Sequence, residues 1–135
     1  MEKEILKILC VEQYQEKSAS IELIEKDDSV EIEFLLEKLM LRKDGDNFFE
    51  TLTELRKDLE KRDIKLLCKG CCKNVYPSGM LLGMGAGRKA YTLTYGEQAK
   101  KSSIVDIFDS CLLEEYGNIE QQVEFFENWI NSLGR

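Results

Sequence analysis

Between residues 5 and 25 the apolar positions satisfy two templates at once. Ile5, Ile8 and Leu9 would line one helical face, whereas Ile21 and Leu23 share one side of an extended strand. The reading adopted is a pair of strands. Next come Ile32, Leu35, Leu36 and Leu39, spaced i, i+3, i+4 and i+7 as in a helical stripe, behind Asp28 or Ser29 as N-cap. This predicts a helix from about Val30 that ends at 43–45. A further helix is expected from Asp46, a good N-cap residue. Phe48, Leu52, Leu55 and Leu59 face one way, and Glu54, Lys57, Asp58 and Lys61 the other.

Residues 64–68 read as a short buried strand entered directly from that helix, and a loop follows from Gly70 to Gly87. The stretch 89–95 alternates, with Ala90, Thr92 and Thr94 on one side and Tyr91, Leu93 and Tyr95 on the other. Gly96 closes it, and 104–108 is a further short strand or turn. From about Asn118, a C-terminal helix is predicted with Ile119, Val123, Phe126, Ile130 and Leu133 as its seam. Gln121, Gln122, Glu124 and Glu127 fall mostly outside that seam, and Gly134 suits its end. The pattern predicts one α+β domain over 1–135, a small and mostly antiparallel sheet packed with about three helices.

Composition narrows the function classes. The 135 residues are 43% hydrophobic and 33% charged, enough for one packed core. No apolar run approaches the ~20 residues that cross a bilayer. Lys3, Glu4 and Lys7 interrupt the N-terminal MEKEILKILCVEQ, unlike a signal peptide. A cytoplasmic location without a membrane partner is expected. The five cysteines are odd in number and three cluster, so thiols are expected rather than a disulfide framework. Histidine is absent, which removes the commonest general base and a favoured zinc ligand. Asp, Glu, Lys, Tyr and Cys remain able to catalyse, but the expectation moves from an enzyme towards a binding protein that uses no cofactor.

Charge is unevenly spread. The net charge is −7, but residues 1–63 carry 18 acidic and 11 basic groups and 104–135 carry seven acidic groups with Arg135. Between them Lys65, Lys69, Lys73, Arg88, Lys89, Lys100 and Lys101 face Glu97 alone. Acidic flanks would suit a basic toxin or nucleic-acid enzyme as partner, with the central segment holding an anionic group. Alternatively, the central lysines simply pair with the flanks. Global acidity argues against direct nucleic-acid binding, because phosphate repels it.

Chemistry concentrates in 68–91, CKGCCKNVYPSGMLLGMGAGRKAY. Pro77 and Gly79 predict a tight turn. Three readings of this stretch stand side by side. Gly83, Gly85 and Gly87 with Arg88 and Lys89 would cradle a phosphate on free backbone N–H groups, with Cys71 or Tyr91 as a reactive group. The glycines nevertheless precede a strand, and neither G-x-G-x-x-G nor G-K-[ST] is present. Cys68, Cys71 and Cys72, joined by Cys10 or Cys111, would suit a metal. The chain lacks a second C-x-x-C and any histidine, so no metal site is assigned. Finally, Tyr76, Met80, Met84, Arg88 and Tyr91 are types enriched at protein interfaces, although the methionines would equally finish the core.

The motifs N-V-Y-P-S-G-M (74–80), M-G-x-G-R-K-A-Y-x-L (84–93), G-x-x-A (96–99) and V-D-I-F-D (105–109), with a looser match through the helix from Asp46, resemble a family of small bacterial proteins. That family occurs among genes for polymorphic and contact-dependent toxins, where small acidic partners act as immunity proteins. The resemblance implies binding of a cognate toxin, and it supplies no catalytic residues. The expected contact surface is acidic, around Asp27, Asp28, Glu31 and Asp44 or along the C-terminal helix, with Tyr76, Met80, Met84, Arg88 and Tyr91 as the apolar and cationic part.

Overall fold

A computed structural model describes residues 1–134. Strands β1 (Glu2–Glu12) and β2 (Gln15–Glu25) form a long antiparallel hairpin, which is the strand pair adopted above rather than the helix the spacing also allowed. Its two-residue turn places Gln13 and Tyr14 at φ 52° and 64°, matching the right-handed twist of the strands.

The helix predicted from Val30 is instead a second hairpin, β3 (Val30–Leu36) and β4 (Leu39–Gly45). Val30, Ile32, Phe34 and Leu36 are buried and alternate with Glu31, Glu33 and Leu35. That is a period of two, and it lets β3 pair along β2 while its apolar side stays on the core. The helical spacing of Leu35 and Leu39 was a coincidence across the turn at Glu37–Lys38. Leu35 points away from the core and is 46% exposed.

Helix α1 (Phe48–Lys61) starts one residue later than expected. Asn47, not Asp46, is its cap, accepting the Glu50 N–H at 2.9 Å. Strand β5 (Ile64–Leu66) then adds to β1, giving a five-stranded antiparallel sheet ordered β4-β3-β2-β1-β5. Leu52, Leu55 and Leu59 of α1 pack with Ile8, Ile21, Ile32 and Phe34 from one face of that sheet. The opposite face is open and carries exposed Ile5, Leu9, Leu35 and Met40 among charged residues.

The predicted loop 70–87 has structure of its own. It contains a 3₁₀ turn, the short strand β6 (Val75–Tyr76) and one helical turn, α2 (Gly79–Leu82). β6 joins β7 (Lys89–Thr92) and β8 (Ile104–Asp106) in a second antiparallel sheet. β7 ends at Thr92, short of the predicted Tyr95. The final helix, α3 (Ile119–Leu133), starts where expected, with Asn118 and Gln121 forming a capping box and Gly134 at its end. Among the described residues no helix is long and apolar enough to cross a membrane.

The seam predicted for α3 is corrected by its burial. Val123 and Ile130 are exposed, and the buried residue is Gln122. Its amide donates to the carbonyls of Gly70, Cys72 and Val75 at 2.9, 3.0 and 3.0 Å. Its oxygen accepts from Arg56 Nη1 at 2.8 Å. Arg56 is 2% exposed and also donates to the carbonyls of Gly70 and Gly117, leaving only Nε unpartnered. Space at Gly70 is tight, since a Cβ there would lie 2.6 Å from Leu52 Cδ2 and 3.1 Å from Ile107 Cβ, so a larger residue would force the buried Leu52 to shift.

Two outcomes follow. Arg56→Met is expected to cost about 2–4 kcal/mol, because buried acceptors on Gln122 and Gly117 lose their donor; urea unfolding measures this. Acid sensitivity has a defined sign. Arg88 hydrogen-bonds Glu4 and Lys43 hydrogen-bonds Asp58, and each holds its carboxylate below the usual range. The unfolded chain therefore takes up these protons first. The stabilisation is present above the ordinary carboxylate pKa and is lost as pH falls through the depressed folded values. The melting temperature should drop between about pH 5 and about pH 3, and less steeply in a Glu4→Gln/Asp58→Asn variant.

Candidate functional site

The end of β4, the first turns of α1 and the Tyr76–Pro77 turn surround an open cleft of about 470 Å³. Asp44, Asp46, Glu50 and Glu54 line it as exposed carboxylates, above Phe49, Tyr76 and Leu82. No lysine or arginine lines it among the described residues. Glu50 accepts from Asn47 Nδ2 at 3.0 Å, and Glu54 pairs with exposed Lys57 at 2.8 Å. Asp44 and Asp46 make no ion pair among the described residues.

Local physics accounts for part of this acidity. Asp46 and Glu50 sit at the N-terminus of α1, where the helix dipole favours negative charge. It does not account for Glu54, one turn further and facing the same way, since like charges at i, i+4 cost about 0.2–0.5 kcal/mol. Nor does it explain Asp44 on β4. The cleft therefore gathers four carboxylates, of which Glu54 is offset by its i, i+3 pair with Lys57.

Its floor is aromatic. Tyr76 meets Phe49 edge-on at 5.4 Å and stacks on Phe126 of α3 at 4.2 Å. Phe126 in turn stacks on Trp129 at 6.0 Å. Beside the floor, Ser78 caps α2 by accepting the Leu81 N–H at 3.1 Å, and Met80 and Met84 project into solvent.

Of the contact residues expected from sequence, the fold brings Asp44 and Tyr76 into one cleft, with Met80 and Met84 on the segment beside it. Asp27 and Asp28 are exposed in the β2–β3 turn. Glu31 lies opposite Asp44 in the β3–β4 register but is paired with Lys26 at 3.3 Å and Arg42 at 3.1 Å. Tyr91 is half-buried opposite Tyr76. Asp46, Phe49, Glu50, Glu54 and Leu82 were not anticipated. The recurrence of acids at 46, 50 and 54 was the available signal.

Arg88 stands apart from the cleft. Its Nε donates to Asp106 at 3.0 Å, its Nη1 donates to Glu4 at 2.7 Å, and it lies over the Phe108 ring. Its charge is thus balanced within the chain. Gly85, Ala86 and Gly87 take left-handed φ values of 56°, 59° and 73°. A Cβ at Gly87 would come within 2.6 Å of Asn47 Cβ. Here glycine lets the loop close against the cap of α1. Gly83 and Lys89 are exposed and flank this segment.

All five cysteines are free thiols. Cys68 and Cys71 are buried with sulfurs 3.7 Å apart, and that hydrogen bond together with burial pushes the Cys68 thiol well up. Cys10 lies apart in β1, where burial and then Glu12 raise its pKa to about 11. The neighbouring Cys111 thiol holds Cys72 low, while Cys72 together with burial pushes Cys111 up. Burial, followed by neighbouring Cys71, pushes Tyr116 up to about 12, so it remains a neutral phenol.

No protein-family model matches this chain, and a search of curated proteins gives no match either. For the floor itself, Tyr76→Ala is expected to destabilise by about 3–5 kcal/mol through loss of the ring contacts, whereas Tyr76→Phe should stay within about 1 kcal/mol. Thermal unfolding distinguishes them.

Proposed function

We propose that this chain is a cytoplasmic immunity protein that binds and neutralises a cognate basic protein toxin, without catalysis and without a cofactor. The observation that carries this reading is the cleft in which Asp44, Asp46, Glu50 and Glu54 converge over Phe49 and Tyr76 with no basic residue lining it. An acidic rim steers a basic partner into encounter, and a desolvated aromatic centre slows its release. A lysine or arginine of the toxin is the complementary anchor, with its stem over the rings and its charge among the carboxylates. Met80 and Met84 extend the apolar contact, since flexible thioether side chains adapt to a partner surface. The motif resemblance across 74–109 supports the same assignment. Membranes and nucleic acids are not the partners in this reading.

The test is co-production with the toxin domain encoded beside this chain's gene. A one-to-one complex and protection from killing are expected. Charge reversal by Asp44→Lys with Glu50→Lys should slow association at least about tenfold at low salt and weaken protection. Equal killing with and without the protein would reject the assignment for that toxin.

A further inference from the structure

We propose that Cys72, Cys111 and Glu115 form a binding site for a thiophilic divalent cation, zinc being the best fit. Two sulfurs and a carboxylate oxygen lie within 4.8 Å of one another. They come from two segments that the sequence separates and the fold sets side by side. The segments touch through isolated antiparallel bridges, Cys68 with Ser110 and Cys72 with Tyr116. The Cys111 N–H donates to Leu67 O at 3.2 Å, and the Lys73 N–H donates to Glu115 O at 3.0 Å. The Glu115 carboxylate is itself oriented, accepting the Leu112 N–H at 2.8 Å.

The dimensions suit the ion. Zinc holds thiolates at about 2.3 Å and carboxylates at about 2.0–2.2 Å, so two thiolates on tetrahedral zinc lie about 3.8 Å apart. Small side-chain rotations would close the cluster to that size. Cys72 is 1% exposed, whereas Cys111 and Glu115 are partly open, giving one buried wall and one entry side. Water fills the fourth position. On binding, both thiols release their protons to solvent and no electron is transferred. Lys69, 3.8 Å from Glu115, is a partly exposed and weak pairing that the cation would displace.

The neighbouring pair is a poorer site despite its C-x-x-C spacing. Cys68 and Cys71 are fully buried, and the Arg56 guanidinium close to both would repel a cation. Cys10, in β1, is outside the cluster.

The experiment uses the reduced full-length protein titrated with Co²⁺ and then Zn²⁺. One Co²⁺ should bind with a thiolate-to-metal charge-transfer band and tetrahedral d–d bands, and Zn²⁺ should displace it and raise the melting temperature. Cys111→Ser should abolish both signals, Glu115→Gln should weaken affinity about 10-fold or more, and Cys68→Ser should retain the band. Circular dichroism checks that each variant folds. Absence of a charge-transfer band overturns the proposal, as does a band that survives Cys111→Ser or disappears in folded Cys68→Ser. Toxin binding is measured separately and has no bearing on this result.

Discussion

The buried pair of Arg56 and Gln122 is the constraint on which the C-terminal half of the molecule depends. Taking a guanidinium out of water costs several kcal/mol, and only a dense set of acceptors offsets it. Here the acceptors are backbone carbonyls of Gly70 and Gly117 and the Gln122 side chain. Gln122 then spends its own donors on Gly70, Cys72 and Val75. One polar cluster therefore fixes the cysteine loop, the approach to α3 and the start of β6. A helix with an exposed apolar side is held to the domain by this polar contact and by stacked rings, not by a leucine seam.

That anchoring sets the geometry of the cleft. Tyr76 follows directly from the carbonyl that Gln122 holds at Val75, and Phe126 of the same helix stacks beneath it. The carboxylates arrive from elsewhere, on the end of β4 and the first turns of α1. The second, basic part of the chain does not neutralise them. Arg88 is committed to Glu4 and Asp106, and Lys100 pairs with Glu97. Asp44 and Asp46 consequently stay without an ion pair among the described residues, while Glu54 pairs with Lys57.

The same loop carries two chemistries at its two ends. Cys72 belongs to the thiol and carboxylate cluster, and Tyr76 to the floor of the cleft. Between them the backbone is tied by Gln122, so the two clusters share that support while using different elements for their remaining groups. Cys111 and Glu115 come from the stretch before α3, and Asp44, Glu50 and Glu54 from the first half of the chain.

What the sequence by itself determined was local. Whereas the spacing over 5–25 fitted the β1–β2 hairpin and a helix alike, the Leu52–Leu59 stripe set α1 and Asn118 with Gln121 set the start of α3. These rest on interactions within a few residues, which spacing encodes. The β3–β4 hairpin was legible in the Val30–Glu31–Ile32–Glu33–Phe34 alternation, yet a competing helical spacing obscured it, because choosing between periods requires knowing that β2 offers a partner. Only the tertiary structure decided that Gln122 is core and Val123 is surface. A hydrophobicity pattern ranks glutamine as solvated unless buried donors and acceptors are waiting for it, and those were supplied by Arg56, 66 residues away, and by carbonyls 47 to 52 residues away. The union of Asp44 with Tyr76, and of Cys72 with Cys111, is of the same kind: charge and sulfur count in the chain, but distance between them exists only once it has folded.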